Sequence, residues 1–180
     1  MKKLILCILI VTSILISQDQ LFVGTRPLGM GGAFIAVADD GNTITWNPAG
    51  LPRLRRKEFT SSYADLYAMD ITHSYTGIVW PFGDRIAVGF DWANVGFDDQ
   101  ELSYSENKLN FSIGYQPFKL VSIGGTFKYL SRDMGLDGTS YGKSTGIGYD
   151  IGLLISPHKK IRFGLGVYDL GGTNVTYKQN

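Results

Sequence analysis

The sequence predicts an all-β protein: an antiparallel up-and-down transmembrane β-barrel, in part, with about seven strands and an N-terminal hatch segment ahead of them. Three observations carry this. From residue 57 onward apolar residues recur with a period of two, so each strand has one greasy face and one small or polar face. Short Pro- and Gly-containing turns alternate strictly with longer polar links, which in an up-and-down sheet puts all short connections at one end. The chain also opens like an exported protein, and its 23 glycines and 13% aromatic content suit strands better than helices.

In order along the chain, residues 1–17 read as a secretory signal peptide. Lys2 and Lys3 supply the positive start, and Leu4 to Ile16 form an apolar run of roughly a dozen residues, too short to cross a bilayer as a helix. Ser17 is small enough to mark cleavage, although Leu15 fits the small-x-small rule poorly. Cys7 is the only cysteine and lies inside this segment, so the exported fold has to manage without disulfides.

Residues 18–56 form the predicted hatch, and its informative part is Gly29 to Leu51, GMGGAFIAVADDGNTITWNPAGL. Gly29, Gly31 and Gly32 allow close backbone approach, and Ala33 to Ala38 form a small apolar segment suited to packing on a wall. Asp39, Asp40, Gly41 and Asn42 predict a polar turn in which Asx side chains bond nearby amides. Asn47-Pro48-Ala49-Gly50 predicts a second turn, with Pro48 fixing φ and Trp46 and Leu51 as apolar anchors. A phosphate loop is excluded in spirit by the missing Walker lysine and dinucleotide spacing, and a metal site at Asp39 and Asp40 lacks His or Glu ligands nearby. No cofactor, metal or catalytic residue is assigned.

Residues 57–180 then read as strands. Ile86, Val88, Phe90 and Trp92 alternate with Ala87, Gly89, Asp91 and Ala93; Leu109, Phe111, Ile113 and Tyr115 alternate with Asn110, Ser112 and Gly114. The same pattern continues through Val121 to Tyr129, Ile147 to Ile155 and Ile161 to Val167, while 57–64 and 71–80 are less regular. Residues 81–84, 116–118 and 156–160 are the short turns; residues 64–70, 98–106 and 131–143 are the long polar links. Trp80, Phe82, Tyr115 and Phe118 near the short turns, and Phe97, Tyr104 and Tyr129 near the long links, are placed as interfacial girdles would be. An exported soluble β-sandwich would alternate too, but it gives no reason for the loop asymmetry or for so many glycines opposite the greasy face.

The stretch GTRPLGMGGAFIAVADDGNTITWNPAGL, together with VYDLGG at Val167 to Gly172, resembles the outer-membrane family of FadL/TodX-type channels for long-chain fatty acids and aromatic hydrocarbons, including its PorV/PorQ-like branch. The resemblance implies that Gly29, Gly31, Gly32, Asp39, Asp40, Trp46, Asn47, Pro48 and Gly50 belong to a structural or gating hatch folded into a barrel of about fourteen strands. Against that number, the roughly seven strands here lead to the expectation of an N-terminal half, with a homodimer closing one barrel as a less favoured alternative. The expected function is passive transport of hydrophobic small molecules such as long-chain fatty acids across the outer membrane of a Gram-negative-type bacterium. The alternative is a PorV-like role handling type IX secretion cargo. Expected partners are outer-membrane lipid, a hydrophobic small-molecule ligand or secreted proteins. The net charge of +1 gives no footing for nucleic acid. Hydrolysis at a barrel rim would need Ser, His and an acid to converge, and only His73, with Ser74 and Asp70, offers itself; adjacent strand residues point to opposite faces. Arg53, Arg55, Arg56 and Lys57, and His158 with Lys159 and Lys160, read as solvated or headgroup-facing basic runs.

Overall fold

A computed structural model describes residues 24–66, 70–99, 102–136, 139–170 and 176–178. The signal segment and its cleavage site lie outside the described residues. Seven consecutive antiparallel strands lie side by side in chain order: β1 (Glu58–Leu66), β2 (Ile71–Phe82), β3 (Ile86–Asp98), β4 (Leu102–Phe118), β5 (Val121–Leu136), β6 (Thr139–His158) and β7 (Ile161–Val167). A three-residue β8 (Thr176–Lys178) returns to pair with the start of β6. Each strand pairs with the next through a hairpin, the meander that the alternation of turns predicts.

The segment expected to be a hatch, described from residue 24 to 56, curls the sheet from inside. The 3₁₀ helix Pro48–Arg53 touches β2, β3, β4, β5 and β6, yet six residues at ~2 Å rise span only ~12 Å, and five strands laid flat at ~4.8 Å would be wider. Gly41 abuts Thr60 on β1 and Ile35 abuts Gly164 on β7, so the wall from first strand to seventh bends around one short segment. The result is a curled half-barrel with the hatch on its inner face.

Strand parity separates two faces cleanly. The outer face is apolar between two cross-strand rows: Ile86, Tyr115, Ile123 and Leu153 on the short-turn side, and Trp92, Leu109, Tyr129 and Ile147 on the far side. Along β3 that is Ile86 to Trp92, about 20 Å at ~3.3 Å per residue. Phe82 continues the short-turn row onto β2 opposite Ile86, and Phe118 and Leu120, also exposed, extend the band beyond it. One step past the far row the outer face turns polar, with Asn94, Asn107, Ser131 and Thr145 side by side. There the Trp92 Nε1 donates to Asn107 Oδ1 at 3.1 Å, as a boundary indole does when one end is dry and the other wet.

Two expectations need correction. The long polar links are largely strand: β4 starts at Leu102, β5 runs to Leu136 and β6 starts at Thr139, so residues 102–106, 131–136 and 139–143 lengthen the hairpins instead of forming loops. In the first two the outer face is polar, with Ser103, Ser105, Ser131 and Asp133, while Leu102, Tyr104, Met134 and Leu136 share the inner face with Glu106 and Arg132, so the apolar-out contrast of the strand cores is missing. Phe97 and Tyr104 are not girdle residues either. They face each other across β3 and β4 with rings stacked 5.9 Å apart, and parity places them on the hatch side, where the Tyr104 hydroxyl donates to Glu106 Oε2 at 2.6 Å.

Candidate functional site

The hatch is a chain of turns because its sequence offers nothing longer. Thr25–Gly29 makes one helical turn, Gly31 and Gly32 hold φ of 62 and 79, and the chain then coils to Thr43–Trp46 and the 3₁₀ helix at Pro48–Arg53. Asn47, extended at φ −162, separates the last two pieces, and its Oδ1 accepts from the Ala49 amide at 3.1 Å as an N-cap. Pro48 follows at the first position of the 3₁₀ helix, where its missing N–H costs nothing.

Inner-face glycines make the seat. A methyl group on Gly124 would lie 2.3 Å from the Pro48 carbonyl carbon, one on Gly114 would lie 2.5 Å from Pro52 Cδ, and one on Gly152 would lie 2.0 Å from Asn47 Oδ1. Gly89 faces Ile44 and Leu51 in the same way, Gly77 faces Ile44, and Gly164 lies against the Ile35 and Ala36 backbone. A band of missing side chains therefore crosses β2 to β7, and hatch backbone fills it. Around it Phe34, Ala38, Trp46, Ala49 and Leu154 form one apolar cluster, and Ile44, Leu51, Leu54, Val79 and Ala87 form another. Phe34 and Trp46 meet edge to face at 6.2 Å. A fully buried Ile, Leu or Phe contributes about 1.5–3 kcal/mol, so Phe34, Ile44 and Leu51 are the hatch's main apolar anchors.

Polar bonds fix the position that apolar contact alone leaves free. Asn47, fully buried, donates from Nδ2 to the Ile35 carbonyl at 2.8 Å and to the Leu153 carbonyl of β6 at 3.3 Å. Asp91, fully buried on β3, accepts from Thr45 Oγ1 and from Asn110 Nδ2, each at 2.8 Å. Ser112 Oγ bonds the Ile44 carbonyl and shares a 2.7 Å bond with Thr126. The Tyr75 hydroxyl donates to the Gly41 carbonyl at 3.3 Å, and the Tyr168 hydroxyl donates to the Trp46 carbonyl at 2.5 Å. Arg53 reaches the wall near the short turns, donating to Ser122 Oγ at 3.1 Å and Ser156 Oγ at 2.6 Å. Burial and the nearby Arg162 push its guanidinium down from the usual range.

The predicted hatch residues divide. Trp46, Asn47, Pro48 and Gly50 are buried at the centre, and a Cβ on Gly50 would lie 2.1 Å from the Ala38 carbonyl oxygen. Gly32 lies under the Trp46 ring, but at Gly29 and Gly31 a Cβ would meet nothing within 4 Å, so close approach is not their role. Asp39 and Asp40 pair with Arg26 at 2.7 and 2.8 Å, bonds that raise the guanidinium pKa. Asp40 Oδ1 also accepts from the Asn42 amide at 2.9 Å, the Asx turn expected there. Among the described residues no group of three His, Cys, Asp or Glu could hold a metal. His73 and Ser74 lie on opposite faces of β2; His73 is buried with Nε2 unbonded, and Asp70 is exposed in the preceding turn. Arg53 departs from the solvated run expected of it, whereas Arg55, Arg56 and Lys57 are exposed.

Sequence reasoning missed the wall's half of the site. Past the hatch the inner face carries Glu106 bonded to Arg132 at 2.6 Å, Lys108 almost fully buried, and Lys128 bridging Asp150 at 2.8 Å and Asp169. Asp169, at φ 54, sits where the chain leaves β7, and its amide donates to Asp150 Oδ1 at 2.9 Å. The available signal was charge at inner-face positions of otherwise amphipathic strands.

No family profile matches the chain, and no curated protein matches it. Among solved structures it is similar to the CymD monoaromatic hydrocarbon channel, with a TM-score of 0.64, 18% sequence identity, and coverage of 83% of this chain and 53% of that one. The chain thus spans about half the length of that channel, and the likeness establishes the fold: an antiparallel sheet forming part of a β-barrel wall.

Proposed function

We propose that this chain forms part of an outer-membrane β-barrel that passes hydrophobic small molecules, long-chain fatty acids or aromatic hydrocarbons, without chemistry or cofactor. The observation that carries the reading is the hatch seated in the glycine band: a wall built to hold a separate segment inside it, by bonds that can be exchanged, suits a gated passage better than a filled structural core. The apolar outer band and the similarity to a hydrocarbon channel support the membrane setting. Among the described residues β1 and β7 leave open edges, so a closed passage requires further strands, from the same chain or a second copy. The test is uptake of labelled oleate and of toluene by a transport-deficient host expressing the whole gene product. A rise over the empty-vector control is expected, and no rise for any hydrophobic solute sinks the proposal.

A second reading, a PorV-like component that receives type IX secretion cargo, is favoured by one observation: the inner face past the hatch is charged, with Glu106, Arg132, Lys108, Lys128 and Asp150, where a route for hydrophobic solutes would be apolar. Recovery of secreted proteins in a pull-down, with secretion lost in a deletion strain, would select it over transport.

A further inference from the structure

The two ends of the sheet carry opposite charge. Past the short-turn row of the apolar band, the exposed charged residues of the turns and of the hatch exit are Arg55, Arg56, Arg85, Lys119, Lys159 and Lys160, with Lys57 at the row's edge, against Asp84; Arg162, also exposed there, faces the inner side and pairs with Asp39 at 3.7 Å. Past the far row, among the described residues, they are Asp65, Asp70, Asp98, Asp99 and Asp133, against Lys143. The basic residues are not one local run. They come from the hatch exit and from all three short turns, residues 83–85, 119–120 and 159–160, which the meander spaces along the whole rim from β1 to β7.

Their position relative to the outer face identifies the partner. Lys57 lies over the outer-face ring of Trp80 with Nζ 3.4 Å from the centroid, so its charge is held against the apolar band instead of in the sheet interior. Phe82, Phe118 and Leu120 are exposed beside the turns that bear Arg85 and Lys119. Cations interleaved with exposed aromatic and aliphatic side chains at the border of a lipid-facing band fit a headgroup layer, where stems and rings lie in the acyl boundary and charges meet phosphate. Arg55 is partly engaged by Asp84 at 3.3 Å and Arg56 by Glu58 at 3.3 Å, but Lys119, Lys159 and Lys160 have no ion pair among the described residues. We propose that the short-turn rim is a binding surface for anionic phospholipid headgroups, which fixes the height and orientation of the wall in its bilayer. This rests on the membrane reading of the outer band and on no particular solute.

The experiment uses the whole chain in non-ionic detergent with equal amounts of phosphatidylglycerol and phosphatidylcholine, and native mass spectrometry reads the lipid retained. Each surface cation near an anionic headgroup layer favours binding by about fivefold, so a clear preference for phosphatidylglycerol is expected, weakening as salt rises. The variant combining Arg56→Gln, Lys57→Gln, Lys119→Gln, Lys159→Gln and Lys160→Gln should fall to near parity while keeping its circular dichroism spectrum. Asp98→Asn with Asp133→Asn at the opposite end should leave the preference intact. Parity in the wild type, or an undiminished preference in the five-site variant, overturns the proposal. So does capture by polyglutamate with lipid parity, which would make the rim a protein-docking face. Quenching of Trp80 and Trp92 by brominated phosphatidylcholine reports separately on whether the band lies in lipid.

Discussion

Asn47 concentrates the hatch's attachment in one side chain. Its amide bonds two backbone carbonyls, one in the hatch and one more than a hundred residues away on β6, and its carbonyl caps the 3₁₀ helix. Replacing it with alanine leaves the Ile35 and Leu153 carbonyls buried without this donor, a cost of about 2–4 kcal/mol. Denaturant unfolding followed by Trp fluorescence should show that loss, and a change below about 0.5 kcal/mol would mean the side chain holds nothing. The importance of Asn47 was legible in the sequence as part of a turn, since Asn before Pro has few other uses. Its partners were not, because a carbonyl on a distant strand leaves no mark on local composition. Asp91 is the reverse case: a charged residue between Phe90 and Trp92 stood out as an inner-face position, but Thr45 could not be picked as its partner without the fold.

Elements show where periodicity suffices and where it fails. The strand cores from Ile86 to Trp92, Leu109 to Tyr115 and Ile147 to Ile155 were readable because outer-face and inner-face residues differ sharply. The extensions at 102–106 and 131–136 were not, since their outer face is polar and their inner face mixes Leu102, Tyr104, Met134 and Leu136 with Glu106 and Arg132, which breaks the pattern of the cores. Inner glycines were readable as small residues, and the hatch backbone is what requires them to be. Gly124→Val and Gly125→Ala separate that requirement from generic strand effects. A Cβ at Gly125 would lie an ordinary 3.7 Å from the Asp150 carbonyl oxygen, whereas at Gly124 it would collide with Pro48 and Ala49. Limited proteolysis should cut Gly124→Val within residues 30–54 much faster than wild type, and Gly125→Ala at the wild-type rate; equal protection of both would show that the seat tolerates filling.

At the scale of the whole molecule, the three tryptophans report on the two faces independently. Trp80 and Trp92 are 42% and 39% exposed on the outer face, while Trp46 is 4% exposed in the hatch. In vesicles of brominated phosphatidylcholine, variants retaining only Trp80 or only Trp92 should be quenched strongly, and one retaining only Trp46 weakly. Comparable quenching of all three, or none, would contradict the placement of hatch and band. The wall's curvature was expected from the barrel reading of the strands; which strands the short segment Pro48–Arg53 touches was not legible, because those contacts join residues far apart in the chain.

The glycine band has a further consequence, for the order in which the molecule can assemble. Hatch residues emerge first in the chain, but their seat is completed by Gly152 on β6 and Gly164 on β7, and the Trp46 carbonyl waits for Tyr168. The earliest part of the chain therefore cannot reach its final place until the last described strands have paired, and closing loops of that length is slow. Until then the band is a groove lined by bare backbone, which the hatch fills once the strands are in place. The N-terminal segment, first in the sequence, is in this way the last of the described chain to be locked in place.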